Sequence, residues 1–87
     1  MDFPIQTPAQ LGAQLKSLRR AKGLTQAQLG APLGLGQVRI ADIERNPGAV
    51  SFAQLLQLLH LLNARVVLQP GTGKPASSQL NDSKDLW

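Results

Sequence analysis

The residues of this chain that could do chemistry are mostly cationic. Lys16, Arg19, Arg20 and Lys22 place four positive charges within seven positions. The full sequence has nine Lys and Arg against five Asp and Glu, a formal charge of +4. Residues 70–87 add nothing to that excess, because Lys74 and Lys84 balance Asp82 and Asp85. A basic patch confined to one part of a chain suits a polyanion partner; on charge alone, a solvated helix face explains it equally well. Catalysis has little to work with. There is no cysteine, hence no thiol nucleophile, disulfide or zinc–thiolate site. His60, the single histidine, sits in a leucine-rich run and reads as a partly exposed helix residue rather than a metal ligand. Without a nucleophile–base pair or a ligand cluster, the chain is expected not to be an enzyme and to need neither cofactor nor metal.

The elements that must position the cations can be taken from length and pattern. Eighty-seven residues suffice for one small domain. Hydrophobic residues make up 43% and charged residues 16%. Phe3, Phe52 and Trp87 are the only aromatics, so the core must be aliphatic and leucine-rich. A domain this small buries only about 60% of its unfolded surface and is marginal alone, which makes dimerisation an early expectation. No apolar run approaches the roughly 18 residues that span a membrane, and Met1-Asp2-Phe3-Pro4 does not resemble a leader. Together with the missing cysteines, this makes a cytoplasmic protein without membrane contact the expectation.

Residues 1–6 form a lead-in. Thr7-Pro8-Ala9-Gln10 starts a helix: Thr7 can cap, Pro8 fits the first turn and Gln10 can reach back. Leu11, Leu15 and Leu18 then recur on one face, and Gly23 ends the helix. Thr25-Gln26-Ala27-Gln28 repeats the pattern and opens a second helix with Leu29 and Leu33 inward. Pro32 deprives the Gln28 carbonyl of a donor and should tighten or fray the last turn. Gly34 closes it. A third helix runs from about Gln37 to Arg45 with Ile40 and Ile43 inward, leaving Gln37, Val38, Arg39, Ala41 and Asp42 outward or sideways; Asn46-Pro47-Gly48 stops it. Ser51-Phe52-Ala53-Gln54 reads as a third capping box, before the most apolar helix. There Phe52, Leu55, Leu56, Leu58, Leu59 and Leu62 cover an arc of roughly 160°. Leu61 lies outside that arc, so the helix edge beyond the core is a candidate dimer contact. Arg65-Val66-Val67-Leu68-Gln69 is β-branched and brief and reads as a strand. Lacking a second strand, it would pair with the same segment of another copy; a chain end packed on the core is the other possibility. From Pro70 the composition turns to Gly, Pro, Ser and Asn, the signature of a flexible tail, which nevertheless closes on Leu86-Trp87.

Helix, glycine, helix, glycine-containing turn, helix is the skeleton of a helix-turn-helix. Gly23-Leu24-Thr25-Gln26, then Leu33-Gly34-Leu35, then Ile40-Ala41-Asp42-Ile43-Glu44 fall at the spacing of the Cro/C1-type phage repressor family, which residues 9–62 closely resemble. The resemblance implies a small all-α bundle of four to five helices with the third helix in the major groove. Its base-edge positions are then Gln37, Val38, Arg39, Ala41 and Asp42. The residue types agree: Gln37 suits adenine, Arg39 suits guanine, and Val38 can touch a thymine methyl. Asp42 could accept from a cytosine amine, although its charge opposes nearby phosphate. Gln26 matches the family's phosphate-binding glutamine at a helix N-terminus. Arg20, Lys22, Arg45 and Asn46 are further phosphate candidates. Arg19 and Glu44 match a structural ion pair that sets the angle of the third helix. Three features depart from the family pattern: Gly36 replaces a polar cap, Gly30 replaces an alanine, and Pro32 interrupts the second helix.

Beyond the repressor core, Arg65–Gln69 and Lys84-Asp85-Leu86-Trp87 resemble features of HipB-type antitoxins, which carry a short strand pairing across the dimer and a tail with a Leu/Trp tip. The implied division is a lead-in at 1–6, a DNA-binding domain at 7–63, a dimerisation strand at 64–69 and a tail at 70–87. The implied dimer contacts are Leu61, Arg65, Val66, Val67 and Leu68. The implied partners are an operator duplex, a second copy and a HipA-like kinase toxin, with Leu86 and Trp87 as toxin or protease contacts. A stand-alone phage-like regulator with no toxin, and a protein-interaction adaptor that has lost DNA binding, are the competing readings.

Overall fold

Three hydroxyl-x-x-Gln sequences start three of the four α-helices in a computed structural model that describes residues 2–71. The helices are α1 (Pro8–Ala21), α2 (Gln26–Gly30), α3 (Gln37–Arg45) and α4 (Phe52–Leu61), with 3₁₀ turns at Ala31–Leu33 and Pro47–Ala49. At α1, Thr7 Oγ1 accepts from the Gln10 N–H at 3.2 Å and Gln10 Oε1 accepts from the Thr7 N–H at 3.1 Å. At α2 the same reciprocal pair joins Thr25 and Gln28 at 3.0 and 2.8 Å. Both boxes satisfy backbone donors that the first turn of a helix leaves without partners. At α4 only half of the expected box forms. Ser51 Oγ accepts from the Gln54 N–H at 3.1 Å, while the Gln54 carboxamide is engaged elsewhere.

Pro32 tightens the end of α2 into the first 3₁₀ turn, and Gly34 leaves it at φ +70°. That left-handed conformation is one glycine adopts without steric cost. The turn then folds back closely: the Leu35 N–H donates to the Gly30 carbonyl at 3.0 Å. A side-chain carbon on Gly30 would collide with the Leu35 carbonyl oxygen and with Ile40 Cγ1. The glycine found where alanine is usual is therefore what this tight turn requires. Likewise, a carbon on Gly12 would strike the Glu44 backbone carbonyl; α1 crosses the end of α3 at that point.

Leu15, Leu29, Ile40, Ile43, Leu55, Leu58, Leu59 and Leu62 form the buried core, with Leu11, Leu18, Leu24, Leu33, Leu35, Val50, Leu61 and Ala64 packed on its rim. All four helices contribute, as an aliphatic bundle demands. Two features of the single chain bear on the expected dimer. Phe52 and Leu56, at one side of the apolar arc of α4, are 62% and 40% exposed, because the core ends at Leu55 and Leu59 and nothing in the single chain covers the next edge. Residues 64–71 form neither helix nor strand. β-branched composition at 65–69 favours an extended backbone but makes no ladder without a paired edge. Leu86 and Trp87 lie outside the described residues.

Candidate nucleic-acid interface

The outward face of α3 follows from its inward one. Ile40 and Ile43 are wholly buried. At 100° per residue this turns Val38 directly outward and Gln37 and Arg39 to either side, and all three, in the first turn of the helix, are exposed. Val38 presents an apolar tip at 69% exposure with no intrachain gain from burial. Ala41 and Asp42 are half-buried. Gly36 precedes the helix without a side-chain cap, so the first N–H groups of α3 have no side-chain acceptor from it.

Behind this face lies a continuous polar chain. Arg19, 7% exposed, is the one charged or polar residue buried among the described residues. Its Nε donates to Glu44 Oε2 at 2.6 Å, its Nη2 to Glu44 Oε1 at 3.3 Å, and its Nη1 to the Leu24 carbonyl at 2.9 Å. The guanidinium thus ties α1 both to the end of α3 and to the elbow before α2. Gln26 Nε2 donates to Glu44 Oε1 at 3.2 Å, and Gln37 Nε2 donates to Gln26 Oε1 at 2.7 Å. A carboxylate only accepts, so it fixes the Gln26 amide with its nitrogen inward and its oxygen toward Gln37. Gln37 in turn spends a nitrogen on Gln26, and its oxygen is left unengaged by this chain of bonds. Among the described residues no buried side-chain polar atom lacks a partner, as a buried ion pair requires if its desolvation is to be offset.

The other phosphate candidates are three cations and one neutral amide. Arg20, Lys22, Arg45 and Asn46 are exposed. Arg45 pairs with Asp42 one turn back along α3, which takes both partly out of use: Asp42 as a base reader and Arg45 as a free cation. Arg39 donates from Nη2 to Gln54 Oε1 at 3.2 Å. The sequence marks Gln54 only as a cap, and local spacing carries no sign of a bond spanning fifteen positions. Gln26, expected on phosphate alone, is also the bridge between Glu44 and Gln37. At the other end, Leu61 is half-buried on the core rim, whereas Arg65, Val66, Val67 and Leu68 are exposed, Leu68 at 90%.

A helix-turn-helix domain model matches residues 10–69. The chain belongs to the helix-turn-helix family. Within it, the chain is HipB-like. It is 30% identical over 82 residues to the antitoxin HipB of Escherichia coli O6:H1, spanning 94% of this chain and 85% of that relative. It is 32% identical over 68 residues to an uncharacterized HTH-type transcriptional regulator, y4mF, of Sinorhizobium fredii, spanning 77% and 90%. Two solved structures share the fold. A HipB–O4 20mer complex has a TM-score of 0.73 at 27% identity over 82% of this chain and 100% of that one. A HipB–O1–O2 complex has a TM-score of 0.72 at 28% identity over 79% and 100%. No helix among the described residues is long and apolar enough to cross a membrane.

Proposed function

We propose that this HipB-like chain is a dimeric, sequence-specific DNA-binding repressor and the antitoxin of a HipBA-type module, repressing its own operon and binding a HipA-like kinase toxin. The observation that carries the DNA reading is the exposed Gln37-Val38-Arg39 edge of α3, held from behind by the Arg19–Glu44 pair, in a chain whose Arg20, Lys22 and Arg45 are also exposed. Gln37, Val38 and Arg39 take base edges in the major groove, with Ala41 and Asp42 at the margin. Gln26, Arg20, Lys22, Arg45 and Asn46 take phosphates and set the register. The exposed segment Arg65–Leu68, together with Leu61, pairs with its counterpart in a second copy and brings two recognition helices onto one duplex. Leu86 and Trp87 serve as toxin or protease contacts, as an apolar tip suits a partner pocket. The antitoxin role draws its support from the HipB relatives.

The reading is tested by selecting binding sites from random duplex DNA, then comparing wild type with the Gln37→Ala, Arg39→Ala double variant. Loss of sequence preference with an unchanged melting curve is the expected result; an unchanged selected site rejects the assignment of α3. A regulator with no toxin is the second reading, favoured by the likeness to y4mF. Pull-down from the host with nuclease treatment separates the two: a kinase retained without DNA marks an antitoxin.

A further inference from the structure

Gln54 stands at the position in α4 that Gln10 and Gln28 hold in α1 and α2. Those two glutamines return their carboxamides to the cap backbone. Gln54 keeps only the half of the box that Ser51 supplies, and its own oxygen accepts from Arg39 Nη2 at 3.2 Å. The capping pattern is thus used in two helices and forgone in the one whose glutamine can reach α3. The acid nearest Arg39 along α3, Asp42, is paired with Arg45. Among the described residues Arg39 has no ion-pair partner, and its orientation rests on a neutral amide.

That choice of partner has chemical consequences. A guanidinium has five N–H donors in a fixed fork. The two hydrogens on Nη2 belong to different two-pronged edges, so a single bond to Gln54 leaves one edge complete. A complete edge is what guanine N7 and O6 require. Because the amide is uncharged, it fixes the side chain without neutralising it, and the full positive charge stays available to a polyanion.

We infer that Gln54 is a positioning residue for Arg39, holding the guanidinium ready for guanine and so determining specificity at the base pair Arg39 reads. The inference rests on the DNA-binding reading above. It is tested on the full-length protein with double-stranded DNA. The wild-type site is first selected from a random duplex pool. Wild type, Arg39→Ala, Gln54→Ala and Gln54→Glu are then measured on that site and on each of its single base-pair changes. Arg39→Ala should abolish discrimination at one base pair per half-site. Gln54→Ala should lower discrimination at that same pair by roughly two- to tenfold, the scale of immobilising a rotamer-rich side chain on binding instead of beforehand, and leave other pairs unchanged. Gln54→Glu keeps an acceptor and should retain the discrimination, but with weaker binding overall because it neutralises the charge. The inference is overturned if Gln54→Ala discriminates at that pair like wild type, or if its loss is spread evenly over the site, which would make Gln54 a merely structural residue. A selected site indifferent to Arg39→Ala also overturns it while leaving DNA binding intact. A wild-type protein that selects no site removes the DNA reading itself.

Discussion

The Gln37 carboxamide donates to that of Gln26 at 2.7 Å, joining the first exposed side chain of α3 to the first residue of α2. Gln26 hands the connection on to Glu44, which receives Arg19. A side chain at the surface is thereby oriented by an ion pair in the interior, through bonds whose donor and acceptor sense is set by the carboxylate.

Gln26 and Gln37 should therefore act as a unit in binding. Gln26→Ala is expected to weaken operator binding and also to blur preference at the base pair that Gln37 contacts. In a double-mutant cycle the two losses should fall short of additive by about 0.5–3 kcal/mol, as found for residues in one network. Titration of the four cycle members against the same duplex measures it. Strict additivity would show that the bond does not matter on DNA.

The Arg19–Glu44 pair should be costly to break and cheap to replace. Removing one partner leaves a charge in a site where both side chains are nearly closed to solvent, so Arg19→Ala or Glu44→Ala is expected to destabilise by about 3–5 kcal/mol. Arg19→Met with Glu44→Leu should recover most of that loss in urea denaturation. It should nevertheless bind DNA worse than wild type, because Gln26 has then lost its acceptor.

What sequence alone reveals here is what is local. The Thr7 and Thr25 capping boxes, the 3₁₀ tightening at Pro32, the turn at Gly34 and the limits of α3 all depend on residues within four positions of one another, and all were legible. The Arg19–Glu44 pair was legible only through family resemblance, since nothing in spacing links positions 25 apart. Gln54 was misread for the same reason: its local pattern says cap, and only the placement of α4 beside α3 offers it Arg39. Phe52, Leu56 and 65–69 mark a different limit. Whether an apolar arc is buried, or an extended segment becomes a strand, depends on a second surface that one chain does not contain.

Two glycines set how closely α3 is held, and alanine at either should show it. Gly12→Ala places a carbon against the Glu44 carbonyl, and Gly30→Ala places one between the Leu35 carbonyl and Ile40. In each case the nearest obstacle is a backbone carbonyl oxygen, which cannot swing aside as a side-chain tip would. Each variant is expected to lose about 1–3 kcal/mol by overpacking, despite alanine's better helix propensity. Thermal unfolding decides it; a stabilised Gly30→Ala would mean the turn opens freely.

Phosphate contact by several exposed cations should appear as a steep salt dependence. Each neutralised phosphate adds about −0.9 to the slope of log affinity against log salt on duplex DNA. Arg20→Ala and Lys22→Ala should each flatten that slope by about one while leaving the selected sequence unchanged. Anisotropy titrations over a salt series measure it, and a flat wild-type response would exclude DNA as the partner.

The exposed segment after α4 should matter to assembly and not to the fold of one copy. The core reaches Leu62, with Ala64 on its rim, and the Ala64 N–H donates to the Leu59 carbonyl at 2.8 Å, so removing residues 65–87 leaves every core side chain in place. Helix content should persist in the truncated chain. Dimerisation should weaken, because Val66, Val67 and Leu68 are exposed in the single chain, where burying them on a partner is favourable. Operator affinity should fall with it, since a monomer engages one half-site only and loses the gain from linked binding. Sedimentation equilibrium of both forms gives the direct comparison. A truncated protein as dimeric as wild type would place the interface on the Phe52–Leu56 edge of α4 instead, where the remaining exposed apolar surface of that helix lies.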